Sequence, residues 1–413
     1  MNTTTRRQFI ERTLLGSLGV SLIPTPSFSA QPSKQKAEHV IYLYFAGGMS
    51  HLDTFDPKND PDTKGEFKAI NTKVDGIQIC EHLSGLAKHA DKMSIVRGMT
   101  VTTGDHAGAQ YYARTSFKKI GTIVHPAMGA WMCSTFDDHK LHSVPSNILI
   151  NGPADHPGSG WMPKRYSPVP INDPLRGLDN TIIKNKDAFN KRIAILDQLN
   201  HDSNKINNPA IKGYSEFYDQ TIKLLNSSDL DVFDLNKESK ETREKYGNNR
   251  FGQGLCLAKR LIEKSGAKFI EVTHGGWDMH TNIASSMEAQ LNVVDTALTT
   301  LIDDLTSSGL FNKTLIVIAT DFGRGPYNIN AGRDHNPAAF SQVLIGAGIK
   351  GGTIYGQTSK KGTSVEDKQT SVQDFNATIA SVIGIDTDQK IISPEGRPFS
   401  VADKGKPIGD ILK

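Results

Sequence analysis

Three short runs of almost unbroken apolar residues limit what this chain can become. His39–Ala46 reads HVIYLYFA, Lys268–Thr273 reads KFIEVT and Thr314–Thr320 reads TLIVIAT. A strand with one wet face alternates apolar and polar residues. A continuous run fits a strand covered on both faces, as in a mostly parallel sheet between helices. Between the second and third runs, Ile283, Met287, Leu291, Val294, Leu298, Leu301 and Leu305 recur at steps of three and four. That spacing makes one apolar stripe on a helix over 281–308. Thr281 is placed to cap its start and Gly309 its end. Strand, helix and strand here form a βαβ unit with parallel strands and a right-handed crossover. Residues 92–97, 147–150 and 342–345 are further short strands, so the fold class is α/β.

The first thirty residues are of another kind. Thr5-Arg6-Arg7-Gln8-Phe9-Ile10 precedes a weakly apolar stretch from Leu14 to Ile23, and Ser27-Phe28-Ser29-Ala30 follows. Basic, apolar and small-residue segments in that order make an export signal, and the apolar part is too short to span a bilayer. The paired arginines resemble a twin-arginine signal. Cleavage is expected after Ala30. The mature chain is expected to be periplasmic or secreted, to meet the twin-arginine translocase during export, and not to be an integral membrane protein afterwards.

Of 413 residues, 22% are charged and 37% hydrophobic, which fits a globular chain. The formal charge of +3 owes part of its excess to Arg6, Arg7 and Arg12, so the remainder is nearly neutral and nothing recommends nucleic acid as a partner. Cys80, Cys133 and Cys256 have no zinc-finger spacing; export would permit one disulfide, with no pair singled out. Residues 31–413 are expected to form one domain. The polar stretch near 151–250, with helical segments near 188–199 and 214–225, is expected to be an insertion or cap.

In an open parallel sheet, ligands sit beyond the carboxyl ends of the strands. The segments leaving those ends carry His and Asp: Ser50-His51-Leu52-Asp53 after the first run, His274-Gly275-Gly276-Trp277-Asp278-Met279-His280 after the second, and Asp321-Phe322-Gly323-Arg324 after the third, with Asp334-His335 beyond. Carboxylate and imidazole donors together suit zinc, manganese or iron better than calcium. The glycines also serve as turn formers.

Five segments, GGMSHLDTFDPK, GGWDMHTN, DFGRGP, GRDHNP and GIKGGTIYGQT, resemble in order the signatures of a twin-arginine-exported family called domain of unknown function 1501. That family resembles a branch of the alkaline phosphatase and sulfatase superfamily. The resemblance covers roughly residues 38–385. It implies a mixed, mostly parallel sheet sandwiched by helices, with two divalent ions, zinc or manganese first, at the strand ends. Asp278 and His280 resemble the superfamily's Asp-then-His pair at shorter spacing, and His335 its later histidine. Asp321 matches the acidic half of an Asp-His dipeptide, but Phe322 replaces the histidine. Gly47-Gly48 stand where the superfamily has an Asp, and His51 and Asp53 are the residues nearby that can supply the missing ligands. The implied partition is Asp278, His280 and His335 on one ion, and His51, Asp53 and Asp321 on the other.

Superfamily hydrolases attack with a hydroxyl or formylglycine at a helix start, where metal and helix terminus favour the anion. The matching stretch here is Thr100–Tyr111, without the sulfatase motif. Thr102 and Thr103 are candidate nucleophiles and equally good capping residues. His106 is a candidate ligand or general acid, and attack by water activated at the metal stays open. Arg324 and Arg333 can grip an ester's anion or pair with a loop carboxylate. Trp277 fits a sugar platform or the core. The implied function is a metal-dependent hydrolase of phosphate or sulfate esters acting on a small molecule or glycan. The alternative is a non-catalytic cell-envelope protein that binds a glycan or another protein.

Overall fold

The computed structural model describes residues 36–136, 144–179, 181, 185–203, 219 and 221–413. The expected export segment lies outside them, as does half of the helical stretch expected near 214–225, of which residues 221–225 are helical. In chain order the sheet strands are β1 (His39–Phe45), β2 (Met93–Thr100), β3 (Asn147–Ile150), β4 (Val169–Ile171), β5 (Phe269–His274) and β6 (Thr314–Thr320). After a hairpin of β7 (Gly323–Tyr327) and β8 (Arg333–Asn336) come β9 (Phe340–Gly346), β10 (Thr353–Tyr355) and β11 (Thr370–Ser371). The main helices are α1 (His106–Thr115), α2 (Met128–Phe136), α3 (Lys186–Ser203), α4 (Arg250–Ser265), α5 (Ile283–Ser307) and α6 (Val372–Ile383).

One nine-stranded sheet runs β10-β2-β9-β6-β1-β5-β3-β4, with β11 added beside β2. Only β9 runs against the others. Continuous burial of β1 explains its unbroken apolar run. Ile41, Leu43 and Phe45 belong to the core shared with α4 and α5, while Val40, Tyr42 and Tyr44 belong to the core shared with α1, α2 and α6. Helices therefore cover both faces, as the apolar runs require.

The parallel direction expected of the βαβ strands holds. Strands β5 and β6 each pair parallel to β1, which lies between them. Thr281 does not cap α5. Asn282 precedes the helix with φ 44° and no side-chain cap, and carbonyls of the β7–β8 hairpin accept from the amides of Asn282 and Ile283 at 3.1 and 3.0 Å. A tertiary contact has taken over the task of a local cap. Part of the 151–250 stretch enters the sheet, because β4 is its edge strand, and α3 covers one of the expected helical segments. Cys80, Cys133 and Cys256 are all buried and form no disulfide. Among the described residues no helix is long and apolar enough to cross a membrane.

Candidate metal centre

Strand register builds the site. Phe45, at the end of β1, aligns with His274 on one side and Thr320 on the other. The three following loops therefore leave the sheet at the same level. Glycine is required where they meet. Gly47 has φ +116°, and a Cβ there would lie 2.5 Å from the Asp278 amide nitrogen. This contact explains why the first strand ends in Gly47-Gly48 and not in an acidic ligand.

Helix α1 adds the fourth wall. Asp105 caps it by accepting from the Gly108 amide at 2.7 Å, which makes His106 its first residue and turns that ring toward the sheet edge. The hairpin pairs Arg324 on β7 with His335 on β8. Its tip packs against the loop after β5: Asn328 Nδ2 donates to the His280 carbonyl at 3.1 Å, and a Cβ on Gly332 would lie 2.0 Å from the His280 carbonyl carbon.

Asp278, His280, His335 and His106 are brought together. Ligand atoms of His106, Asp278 and His335 lie within 4.8 Å of one another. His280 Nε2 is 2.9 Å from His335 Nε2 and 3.0 Å from Asp278 Oδ1. Each imidazole is fixed from behind through Nδ1: His106 by Asp321 Oδ2 at 2.6 Å, His280 by Asp334 Oδ1 at 2.9 Å, and His335 by the Gly104 carbonyl at 2.8 Å. Carboxylates and carbonyls only accept, so each Nδ1 carries a proton and each ring turns its Nε2 toward the cluster. Two Nε2 atoms 2.9 Å apart need a proton or a metal cation between them. This arrangement, with acceptors behind the histidines on Nδ1 and the Nε2 atoms gathered in front around Asp278, fits a divalent ion. Three imidazoles and a carboxylate match zinc well. Asp278 and His280 have side chains 49% and 42% exposed, so the centre opens to solvent on their side.

Electrostatics agree with that donor set. The hydrogen bond to Asp321 raises the proton affinity of His106 above the ordinary range, against the opposing effect of burial. A more basic imidazole is also a better ligand. Burial pushes the Asp278 carboxyl upward, but the hydrogen bond and charge of Arg324 overcome this and hold it at about 2.

Three expected ligands stand elsewhere. Asp321 is fully buried behind His106, its two oxygens accepting from the Tyr44 hydroxyl, the Gly47 amide, Gln110 Nε2 and His106 Nδ1. Three of these donors share Oδ2 and the Tyr44 hydroxyl takes Oδ1, so both oxygens are engaged within the chain. Asp53 is locked to the Arg333 guanidinium at 2.7 and 3.0 Å and accepts from the Ser50 hydroxyl at 2.6 Å. His51 Nε2 faces the Gly362 carbonyl at 2.8 Å, and its Nδ1 lies against Gly323. In the second half of the expected two-ion partition, Asp53, Asp321 and His51 Nε2 are engaged by internal partners while His51 Nδ1 is buried without one, and His106 joins the first half.

The arginines are engaged as well. Arg324 is fully buried. Its Nε donates to the Gly48 carbonyl, Nη1 to the Arg333 carbonyl and His280 Nε2, and Nη2 to the Gly47 carbonyl and Asp278 Oδ1. A guanidinium has five N–H donors, so four are used on carbonyls and Asp278 and the fifth is used only while His280 Nε2 carries no ion. Thr103 Oγ1 accepts from the Asp105 amide at 3.1 Å in the turn before α1, one residue from the carbonyl that fixes His335. Phe322, where a ligand was expected, is buried beneath the rings of His106 and His335, at 4.8 and 4.5 Å between centroids. Trp277 is buried and stacks on Phe45 at 4.9 Å, which is its core alternative.

Sequence reasoning did not single out Tyr44 or Gln110. Tyr44 was hidden in an apolar run, although a hydroxyl in a strand covered on both faces needs a partner. Gln110 lies four residues after His106 and shares its helix face, a signal that was present.

Among solved structures, the chain is similar to a mutant of the alkaline phosphatase PafA at 9% identity, covering 92% of this chain and all of that one, with a TM-score of 0.45. It is similar to the phosphonate monoester hydrolase SpPMH from Silicibacter pomeroyi at 12% identity, covering 90% and 75%, with a TM-score of 0.41. It is also similar to the lipoteichoic acid synthase LtaP from Listeria monocytogenes at 10% identity, covering 92% and 79%, with a TM-score of 0.38. No curated protein matches it. The family model described as protein of unknown function (DUF1501) matches residues 37–412, and the chain belongs to that family.

Proposed function

We propose that this protein is an exported metal-dependent hydrolase of phosphate or sulfate esters, with one zinc-class ion held by His106, His280, His335 and Asp278. The convergence of three Nε2 atoms, each backed by an acceptor on Nδ1, carries the proposal. A divalent ion there would supply positive charge to the oxygen on which negative charge develops. The chain's own contribution is positional. Asp321, Asp334 and the Gly104 carbonyl orient the rings, Arg324 holds Asp278 charged, and Phe322 keeps water from the inner side of His106 and His335.

Engagement of Arg324 favours the second reading, a cell-envelope binding protein with a structural ion, because four of its five N–H groups stay on the Gly47, Gly48 and Arg333 carbonyls and Asp278 when His280 Nε2 is given to the ion. A panel of phosphate and sulfate monoesters, assayed with the zinc-loaded protein and with His106→Asn, separates the two. Hydrolysis that falls by orders of magnitude in His106→Asn supports the enzyme. A zinc-loaded wild type that hydrolyses no member of the panel gives way to the binding protein.

A further inference from the structure

A buried polar chain runs from the middle of the sheet to the metal centre. Glu271 lies inside β5, where a parallel strand is normally apolar, and is only 3% exposed. It accepts from Arg114 Nε at 2.9 Å and faces His156 Nε2 at 3.1 Å. The Arg114 guanidinium lies over the Tyr44 ring, its Cζ 3.9 Å from the centroid. The Tyr44 hydroxyl donates to Asp321 Oδ1, and Asp321 Oδ2 holds His106 Nδ1. Tyr44, Arg114 and Asp321 are all nearly or fully buried.

A buried Arg–Glu pair gives little net stability over an apolar pair of similar volume. The position of this pair suggests a different use. Asp321 has to keep one oxygen on His106 while its carboxylate plane stays fixed. The Gly47 amide and Gln110 reach Oδ2, the same oxygen that holds His106. Oδ1 is held by Tyr44. Rotation of the carboxylate is therefore opposed from that side by the Tyr44 hydroxyl, and that hydroxyl stays in place only while its ring does. Arg114 clamps the ring by cation–π contact, and Glu271 fixes Arg114.

We propose that Tyr44, Arg114 and Glu271 are positioning residues that act through Asp321 to aim His106 Nε2 at the centre. One arm of the test rests on the metal proposal, and the other does not. The metal arm measures zinc affinity by chelator competition for wild type, Tyr44→Phe, Glu271→Gln and Tyr42→Phe. Tyr42 lies on the same strand face, but its hydroxyl reaches only the Ala113 carbonyl at 3.5 Å, so its variant controls for general loosening of the core. Loss of a group that orients a ligand typically costs 10- to 100-fold in metal affinity. Tyr44→Phe should fall in that range, Glu271→Gln should move in the same direction by less, and Tyr42→Phe should stay within about twofold of wild type.

The metal-free arm follows the Nδ1 proton of His106 by NMR at pH 9, assigned through its loss in His106→Asn. Wild type and Tyr42→Phe should show a downfield, slowly exchanging resonance held by the 2.6 Å bond to Asp321. In Tyr44→Phe it should move upfield or broaden into solvent exchange. An unchanged resonance in Tyr44→Phe overturns the proposal, as does an equal shift in Tyr42→Phe. If wild type binds no zinc, the metal centre falls while the proton resonance still decides the positioning role.

Discussion

Replacing Asp321 by asparagine tests whether this residue holds an ion or holds a ligand. Three donors converge on Oδ2, namely His106 Nδ1, the Gly47 amide and Gln110 Nε2, and Tyr44 alone reaches Oδ1. The amide nitrogen of Asp321→Asn would face three donors at Oδ2 but only a rotatable hydroxyl at Oδ1. It should therefore settle at Oδ1 and leave a carbonyl for His106. The bond to His106 survives without its charge. Hydrogen bonds to charged groups contribute about 1.5–3 kcal/mol, roughly twice a neutral bond, so about half of that is lost. The expected fall in zinc affinity is therefore about tenfold, or about 1.4 kcal/mol. Asp321→Ala leaves several buried donors without an acceptor and should cost a hundredfold or more in affinity, together with several kcal/mol of stability. Chelator competition and urea unfolding measure the two effects. Wild-type affinity in Asp321→Asn would refute the supporting role. Complete loss of binding in Asp321→Asn would return Asp321 to the ligand set.

Three further outcomes are expected. The Glu271 carboxyl, which burial pushes upward and the charges of Arg114 and His156 pull further down, sits at about 2 instead of 4.5. Its stabilisation is fully present above pH 4.5 and is lost as pH falls through about 2, on the order of 3 kcal/mol; Glu271→Gln should lack that part of the acid slope in urea titrations, and identical slopes would contradict it. Gly332→Ala places a Cβ 2.0 Å from the His280 carbonyl carbon, and should cost about 1–3 kcal/mol and weaken zinc binding by moving His280, whereas an unaltered unfolding midpoint would argue against a tight hairpin contact. Changing Arg6 and Arg7 together to lysine should leave precursor in the cytoplasm by cell fractionation, and normal mature protein outside the inner membrane would rule out the twin-arginine route.

The sheet was legible because burial on both faces leaves a local mark. The apolar runs beginning at His39, Lys268 and Thr314 became β1, β5 and β6 with boundaries shifted by a residue or less. Convergence at one edge followed from parallel strands ending in register. Strand order was not legible, because nothing in the helix between β5 and β6 reveals that β1 inserts between them. The cluster was partly legible. Asp278, His280 and His335 could be named because they follow strand ends in short polar motifs. His51 and Asp53 carry the same residue types, and only tertiary contacts with Gly362 and Arg333 show where their ligand atoms are used. The exchange of roles between His106 and Asp321 depends on which nitrogen meets which oxygen, and sequence spacing does not encode that.

The most direct test of the centre is zinc K-edge X-ray absorption on the metal-loaded protein, with metal content measured on the same sample. One ion per chain is expected, in a shell of nitrogen and oxygen atoms at about 2.0–2.1 Å with multiple scattering from three imidazole rings. A shell lacking imidazole, or a second metal at about 4 Å, would contradict a single centre built on His106, His280 and His335.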